Sequence, residues 1–357
     1  MAFYSFAKRP ETFLYAVRRI KNMIIPVVPL ISGIIGFLST LLTAKFFIRY
    51  LRGIGLVVKD QHKEGLPLVP ISGGLLVLFG FLMGTMMFVF FRTFVPSPET
   101  SIVLNTETLD LLFASVISIM LVTLVGFIDD LMIGKTKDAA IGLNQWQKPL
   151  LTVVAAVPLM VIDAGTTQTI IPFFGKVNLG ILYPLLAIPI GFIGAANMVN
   201  MLGGLNGLES GLGIIYFGSL GLFSFYHERY IAALLCLMVF LPLLVFFYYN
   251  KYPAKIFPGN SLTYLMGGTL AAVAIVGDIE KAALIISAPF FLELILKLRG
   301  KLKKPTVGYM KDGKVYSRHD KIYSIPHLFM NGRFTEKQVV YFVIGIEVVF
   351  AVLIWVV

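Results

Sequence analysis

The chain has 357 residues, of which 57% are hydrophobic and only 14% charged, where a soluble globular chain carries about a quarter charged residues. With a mean hydropathy of +0.86, this excludes an ordinary soluble domain, a disordered chain and a disulfide scaffold, and leaves a polytopic membrane protein. The net charge of +11 sits in the connections between apolar runs, which points to the lipid bilayer or an anionic substrate and away from nucleic acid. The single cysteine, Cys236, lies within an apolar run, so neither an internal disulfide nor a CxxC metal site can form.

Residues 1–24 come first. Lys8, Arg9, Arg18, Arg19 and Lys21 interrupt any cleavable-signal core, and the segment reads as a basic amphipathic helix on the membrane surface. Residues 25–357 form one integral membrane domain. Apolar runs occupy 25–48, 69–95, 109–128, 149–163, 181–199, 211–226, 230–249, 262–278, 281–298 and 338–357. Backbone groups find no water in the bilayer core, so continuous runs of this kind are helices. The expected fold is an all-α bundle of about ten transmembrane helices.

The connections 49–68, 129–148, 250–261 and 297–337 hold 4, 3, 2 and 11 Lys and Arg residues, and the alternate connections one each, at Arg92, Lys176, Arg229 and Lys281. The positive-inside rule makes the first set cytoplasmic and both termini external. The five basic residues of the first 22 oppose that assignment, and the long basic loop 297–337 outweighs them.

Polar groups interrupt the apolar pattern at three places. The third run ends in Asp129-Asp130. Adjacent carboxylates at a helix end repel, so they are either a solvated terminus or a site for a cation, a shared proton or phosphate chemistry. The fifth run passes into Asn197-Met198-Val199-Asn200-Met201-Leu202-Gly203-Gly204-Leu205-Asn206-Gly207-Leu208-Glu209-Ser210-Gly211. Asn197 and Asn200 share a helix face. Asn oxygens can ligate a hard cation, and Asn can also act as interhelical glue. Around them, Lys59-Asp60-Gln61-His62-Lys63, the Ser72-Gly73-Gly74 turn, Lys148, Phe257-Pro258-Gly259-Asn260 and Pro326-His327 all fall on the side assigned as cytoplasmic.

Together these segments resemble the polyprenyl-phosphate N-acetylhexosamine-1-phosphate transferases, over about residues 55–337. Asn197–Gly211 is similar to the NAxNxLxGxNGLExG segment of the eukaryotic dolichyl-phosphate N-acetylglucosamine phosphotransferase type. Ile325–Glu336 is similar to the HHxFExxGxxE segment of the bacterial phospho-N-acetylmuramoyl-pentapeptide translocase, with one histidine only. The mixture implies an archaeal enzyme.

The resemblance implies ten spans, a cytoplasmic active site, and transfer of a sugar-1-phosphate, N-acetylglucosamine-1-phosphate foremost, from a UDP-sugar to polyprenyl or dolichyl phosphate with release of UMP. It also implies a homodimer. By the same resemblance, Asp129, Asp130, Lys63 and His327 are catalytic. Asp60, Lys148, Asn197, Asn206, Gly207, Glu209, Lys301, Lys303 and Lys304 bind substrate. Asn200, Asn260 and Asp130 hold Mg²⁺, with Mn²⁺ as a substitute. Asn260 departs from the family, which has an aspartate there. Direct attack by the lipid phosphate and a covalent aspartyl-phosphate route both fit these residues. A membrane transporter and a non-catalytic lipid-binding relative are the competing readings; clustering of the polar groups at one membrane face argues against the transporter.

Overall fold

The structure, a computed structural model, describes residues 27–95, 106–136, 142–143, 146–162, 164, 168–171 and 175–356. The basic segment 1–24 lies outside them. The long elements are α1 (Val27–Gly53), α2 (Gly74–Phe94), α3 (Thr106–Thr136), α4 (Gln147–Val161), α5 (Ile188–Met201), α6 (Leu208–Tyr226), α7 (Tyr230–Asn250) and α8 (Gly259–Gly277). Helices α9 (Glu280–Ile286), α10 (Ala288–Arg299) and α11 (Glu336–Leu353) follow. One π-helical turn, Tyr183–Ala187, leads into α5.

Among the described residues three antiparallel hairpins punctuate the connections: β1 (Val57–Lys59) with β2 (Leu68–Pro70), β3 (Gln168–Ile171) with β4 (Gly175–Asn178), and β5 (Tyr309–Lys311) with β6 (Lys314–Tyr316).

Among the described residues seven helices are long and apolar enough to cross a membrane: α1, α2, α3, the π turn with α5, α6, α7 and α8. Three of the ten expected runs take other forms. Helix α4 has 15 residues, about 22 Å at 1.5 Å per residue, against a hydrocarbon core of about 30 Å. The ninth run is broken between α9 and α10 at Ser287, with Pro289 opening the second helix. The tenth, α11, carries Glu336, Lys337 and Glu347. A second difference concerns the aspartates. Helix α3 continues to Thr136, so Asp129 and Asp130 lie within a helix rather than at its end.

Helix α8 is the axis of the bundle, buried at nearly every position. It packs against α3, α5, α7 and α2. Close approach depends on small residues, as in other membrane bundles: at Gly267 a Cβ would come within 2.5 Å of the Ala195 carbonyl. Because the helices alternate in direction, one end of the bundle collects the end of α3, the start of α4, the end of α5, and the starts of α6, α8 and α11. The β1–β2 hairpin and the loop 300–335 lie at that same end.

Candidate active site

Asp129 and Asp130 are fully buried, and each has its own donors. Asp130 Oδ1 accepts from the Asn260 backbone N at 2.6 Å; its Oδ2 accepts from Ser261 N at 3.1 Å and from Ser72 Oγ at 2.9 Å. The first N–H groups of a helix have no partner within it and carry partial positive charge. Asp130, a residue of α3, therefore caps α8 from outside. Only glycine fits at position 259: its φ is +66°, and a Cβ there would collide with Asp130 Oδ2. Asn260 lies inside α8 and is not its cap.

Asp129 Oδ2 accepts from Lys148 Nζ at 2.7 Å and from Asn260 Nδ2 at 2.8 Å, and its Oδ1 accepts from Leu143 N. The cation that paired carboxylates need is thus Lys148. Behind them, Thr263 Oγ1 donates to Asn200 Oδ1 at 2.8 Å, and Tyr264 OH donates to Asn197 Oδ1 at 3.3 Å. Asn197 Nδ2 donates to the Ile193 carbonyl. The two Asn residues share the face that meets α8, as their spacing predicts, and Asn197 acts there as glue between helices.

A second cluster surrounds Asn206. Its Oδ1 accepts from Ala254 N at 2.7 Å and from Lys63 Nζ at 3.5 Å. Its Nδ2 donates to Glu336 Oε1 at 2.7 Å and to Asp60 Oδ2 at 3.3 Å, and its backbone N donates to Glu336 Oε1 at 2.7 Å. Lys63 Nζ pairs with Asp60 Oδ2 at 2.7 Å. Gly207, at φ +88°, turns the chain into α6, where Glu209 Oε1 accepts from Gly204 N at 2.7 Å.

His62, readable in sequence as a solvated loop residue, is buried. Its Nε2 accepts from Gly308 N at 3.0 Å, which puts its proton on Nδ1, 3.6 Å from Glu336 Oε1. Arg318 holds the same peptide from the other side, donating to the Gly308 carbonyl and to Gln61 Oε1, both at 3.1 Å. The long loop is thereby clasped to the β1–β2 hairpin. A Cβ at Gly308 would strike the Tyr316 carbonyl.

Glu336 and His62 are members of this cluster whose partners local sequence patterns did not reveal. Glu336 lies 130 positions from Asn206; the one signal was its place as the last residue of the histidine-type segment. Glu336→Ala is expected to destabilise the protein by about 3 kcal/mol, since it leaves several buried donors unpaired. The check is thermal unfolding beside the surface variant Lys337→Ala, and equal melting points would refute it.

His327 stands in a third network. Its Nδ1 accepts from Tyr323 N at 3.3 Å, and its Nε2 donates to the Thr306 carbonyl at 3.1 Å. Glu293 fastens the neighbouring turn, accepting from Ser324 Oγ at 2.6 Å and Ile325 N at 2.7 Å. Both ring nitrogens of His327 are thus engaged by the loop, where it acts as a brace. Lys301, Lys303 and Lys304 are exposed just past the end of α10.

Burial pushes the His327 imidazole down to about 4, from about 6.5 in a free chain. Protonation therefore favours the open loop. The closed loop keeps its full stability above pH 6.5 and loses it as the pH falls toward 4. Protease nicking within 300–335 should accelerate over that window in the parent and stay level in His327→Gln; equal pH profiles would overturn this.

Residues 112–278 match a family model described as Glycosyl transferase family 4. A Saccharolobus solfataricus protein provisionally named UDP-N-acetylglucosamine–dolichyl-phosphate N-acetylglucosaminephosphotransferase is 34% identical over 328 residues, spanning 91% of this chain and 95% of that protein. A Sulfolobus acidocaldarius protein of the same provisional name is 31% identical over 332 residues, spanning 91% and 94%. The phospho-N-acetylmuramoyl-pentapeptide-transferase of a Geobacillus strain is 30% identical over 280 residues, spanning 75% and 81%.

Proposed function

Because the chain belongs to glycosyl transferase family 4, we propose that it transfers N-acetylglucosamine-1-phosphate from UDP-N-acetylglucosamine to a dolichyl or related polyprenyl phosphate. An oxygen of the lipid phosphate bonds to the sugar-linked phosphorus, the diphosphate bridge breaks, and UMP leaves. The observation that carries this reading is the group that half-buried Lys148 and Asn260 form around the fully buried Asp129, beside the capped start of α8. By loop charge the reaction takes place on the cytoplasmic side.

Phosphoryl transfer asks the protein for positioning and charge more than for covalent work. Lys148 is the group that an incoming diphosphate recruits, and in doing so it frees Asp129 from its ion pair. Asp129 then accepts the acceptor's proton or orients its phosphate. Three donors grip Asp129 in the resting site, which favours this role over that of a covalent nucleophile.

The donor set fits Mg²⁺ or Mn²⁺. Oδ1 of each aspartate has one donor and keeps a lone pair, and two carboxylates against one lysine leave a net negative charge. These are hard oxygen ligands for an ion that retains water and phosphate oxygens. Asp129, Asn200 and the Asn260 carboxamide oxygen would hold the ion, with Asp130 committed to capping α8. An ion bound there would neutralise charge on the diphosphate.

The experiment is incubation of purified protein with short polyprenyl phosphate and labelled UDP-sugars. Label in the lipid phase with one UMP per label is the expected result. Lipid label without UMP, or none with any UDP-sugar, would overturn the proposal.

A further inference from the structure

Helix α10 distributes its side chains in the reverse of a helix in water. Its charged Glu293 and Lys297 face inward, both buried, and Lys297 Nζ donates to Thr306 Oγ1 at 2.6 Å. Its outward face is apolar: Leu292, Ile295 and Leu298 are 48%, 63% and 55% exposed. Spaced three apart, they line one side of the helix. Apolar outside and charged inside is what a helix shows to hydrocarbon, so this side of α10 borders the bilayer.

The basic run begins where that face stops. Arg299 is exposed, positive φ at Lys301 and Leu302 turns the chain, and Lys303 and Lys304 follow, all exposed. Arg299 and Lys304 each place their charge 6.0 Å from the Tyr323 ring. Leu302 and Ile322 stand exposed among these cations at 37% and 39%. Among the described ion pairs none engages Lys301, Lys303 or Lys304. Basic side chains, a tyrosine and exposed aliphatics at the end of a lipid-facing helix make up a surface shaped for the headgroup layer.

We propose that Arg299, Lys301, Lys303 and Lys304 form a docking edge for the phosphates of anionic phospholipids, which holds the 300–335 loop against the leaflet on the site's side. This goes beyond transfer chemistry and gives the lysine cluster a partner other than the UDP-sugar. Each basic side chain near an anionic surface gains about fivefold in association, equivalent to about 1 kcal/mol. Salt weakens the attraction, because the Debye length falls from about 10 Å at 0.1 M to about 3 Å at 1 M.

The test reconstitutes the full chain in phosphatidylcholine vesicles and measures, with spin-labelled lipids, its preference for phosphatidylglycerol over phosphatidylcholine. The parent should show the preference and lose it at high salt. The triple variant Lys301→Gln, Lys303→Gln, Lys304→Gln should reduce it at least fivefold, while Lys311→Gln with Lys314→Gln leaves it in place. Lys303→Gln alone serves if the triple variant does not fold, with a smaller loss in the same direction. An unchanged preference would overturn the proposal. So would enrichment confined to spin-labelled polyprenyl phosphate, or an intact lipid preference with weakened UDP-N-acetylglucosamine binding by calorimetry; that last result would return the lysines to the nucleotide site.

Discussion

Asp130→Ala is expected to abolish turnover and also to lower the unfolding temperature, whereas Asp129→Asn should abolish turnover with little change in unfolding. The two carboxylates are neighbours in sequence but have different dependants. Removing Asp130 leaves Asn260 N, Ser261 N and Ser72 Oγ without their acceptor. A buried donor left unpaired costs about 1–3 kcal/mol, so the start of α8 loosens and Asn260 moves with it. Asp129→Asn keeps the shape: its amide oxygen still faces Asn260 and Lys148, and only Leu143 N, in a half-buried loop, loses its acceptor. Lys148 is 22% exposed, so water takes up much of the cost of its lost partner. Losing a positioned proton acceptor lowers a rate by about 10² to 10⁴. Turnover and thermal unfolding measured on both variants decide the matter: equal melting points would remove Asp130 from its capping role, and a near-parental rate in Asp129→Asn would remove Asp129 from the chemistry.

The second large effect is expected from Asn260→Asp, in opposite directions with and without divalent cation. Asn260 Nδ2 now donates to Asp129 Oδ2 at 2.8 Å. An aspartate in its place sets carboxylate against carboxylate, and like unit charges at 4 Å repel by roughly 4 kcal/mol at an effective dielectric of about 20. In chelator the variant should therefore melt well below the parent. Added Mg²⁺ should more than reverse the loss, because the extra negative charge also attracts the ion. The variant should need less Mg²⁺ for half-maximal effect on both melting and turnover. Superimposable Mg²⁺ titrations of parent and variant would place Asn260 outside any metal's reach.

Much of this site was legible from residues that were wrong for their surroundings. Asp129-Asp130 stood out in an apolar run, and the Asn face of α5 followed from helical spacing alone. What escaped was whatever depended on partners far along the chain. Asp130 reads as a free carboxylate until α8 is brought to it. His62 reads as a loop residue until Gly308 arrives, 246 positions away. The motif that marks His327 does not show that its ring bonds to the backbone of its own loop. In the fold, hydropathy placed the long helices well. It read the ninth run as one helix, although Pro289 just past Ser287 is the kind of residue at which a helix restarts. It missed the hairpins because β1 and β2 are three residues each, too short for any alternation to show.

The β1–β2 hairpin has a consequence for how this enzyme can vary. At one end Asp60 holds Asn206 and Lys63; at the other, Ser72 reaches Asp130. Between them Phe257 N donates to the Pro70 carbonyl at 2.7 Å. Segment 60–72 is therefore a ruler laid between the Asn206 cluster and the aspartates, with both of its ends fixed. Surface loops ordinarily accept gained or lost residues, but here one residue more or fewer slides every mark beyond it, and in the paired strands turns inward-facing side chains outward. Its length, more than the identity of most residues in it, is the quantity that related chains must hold constant.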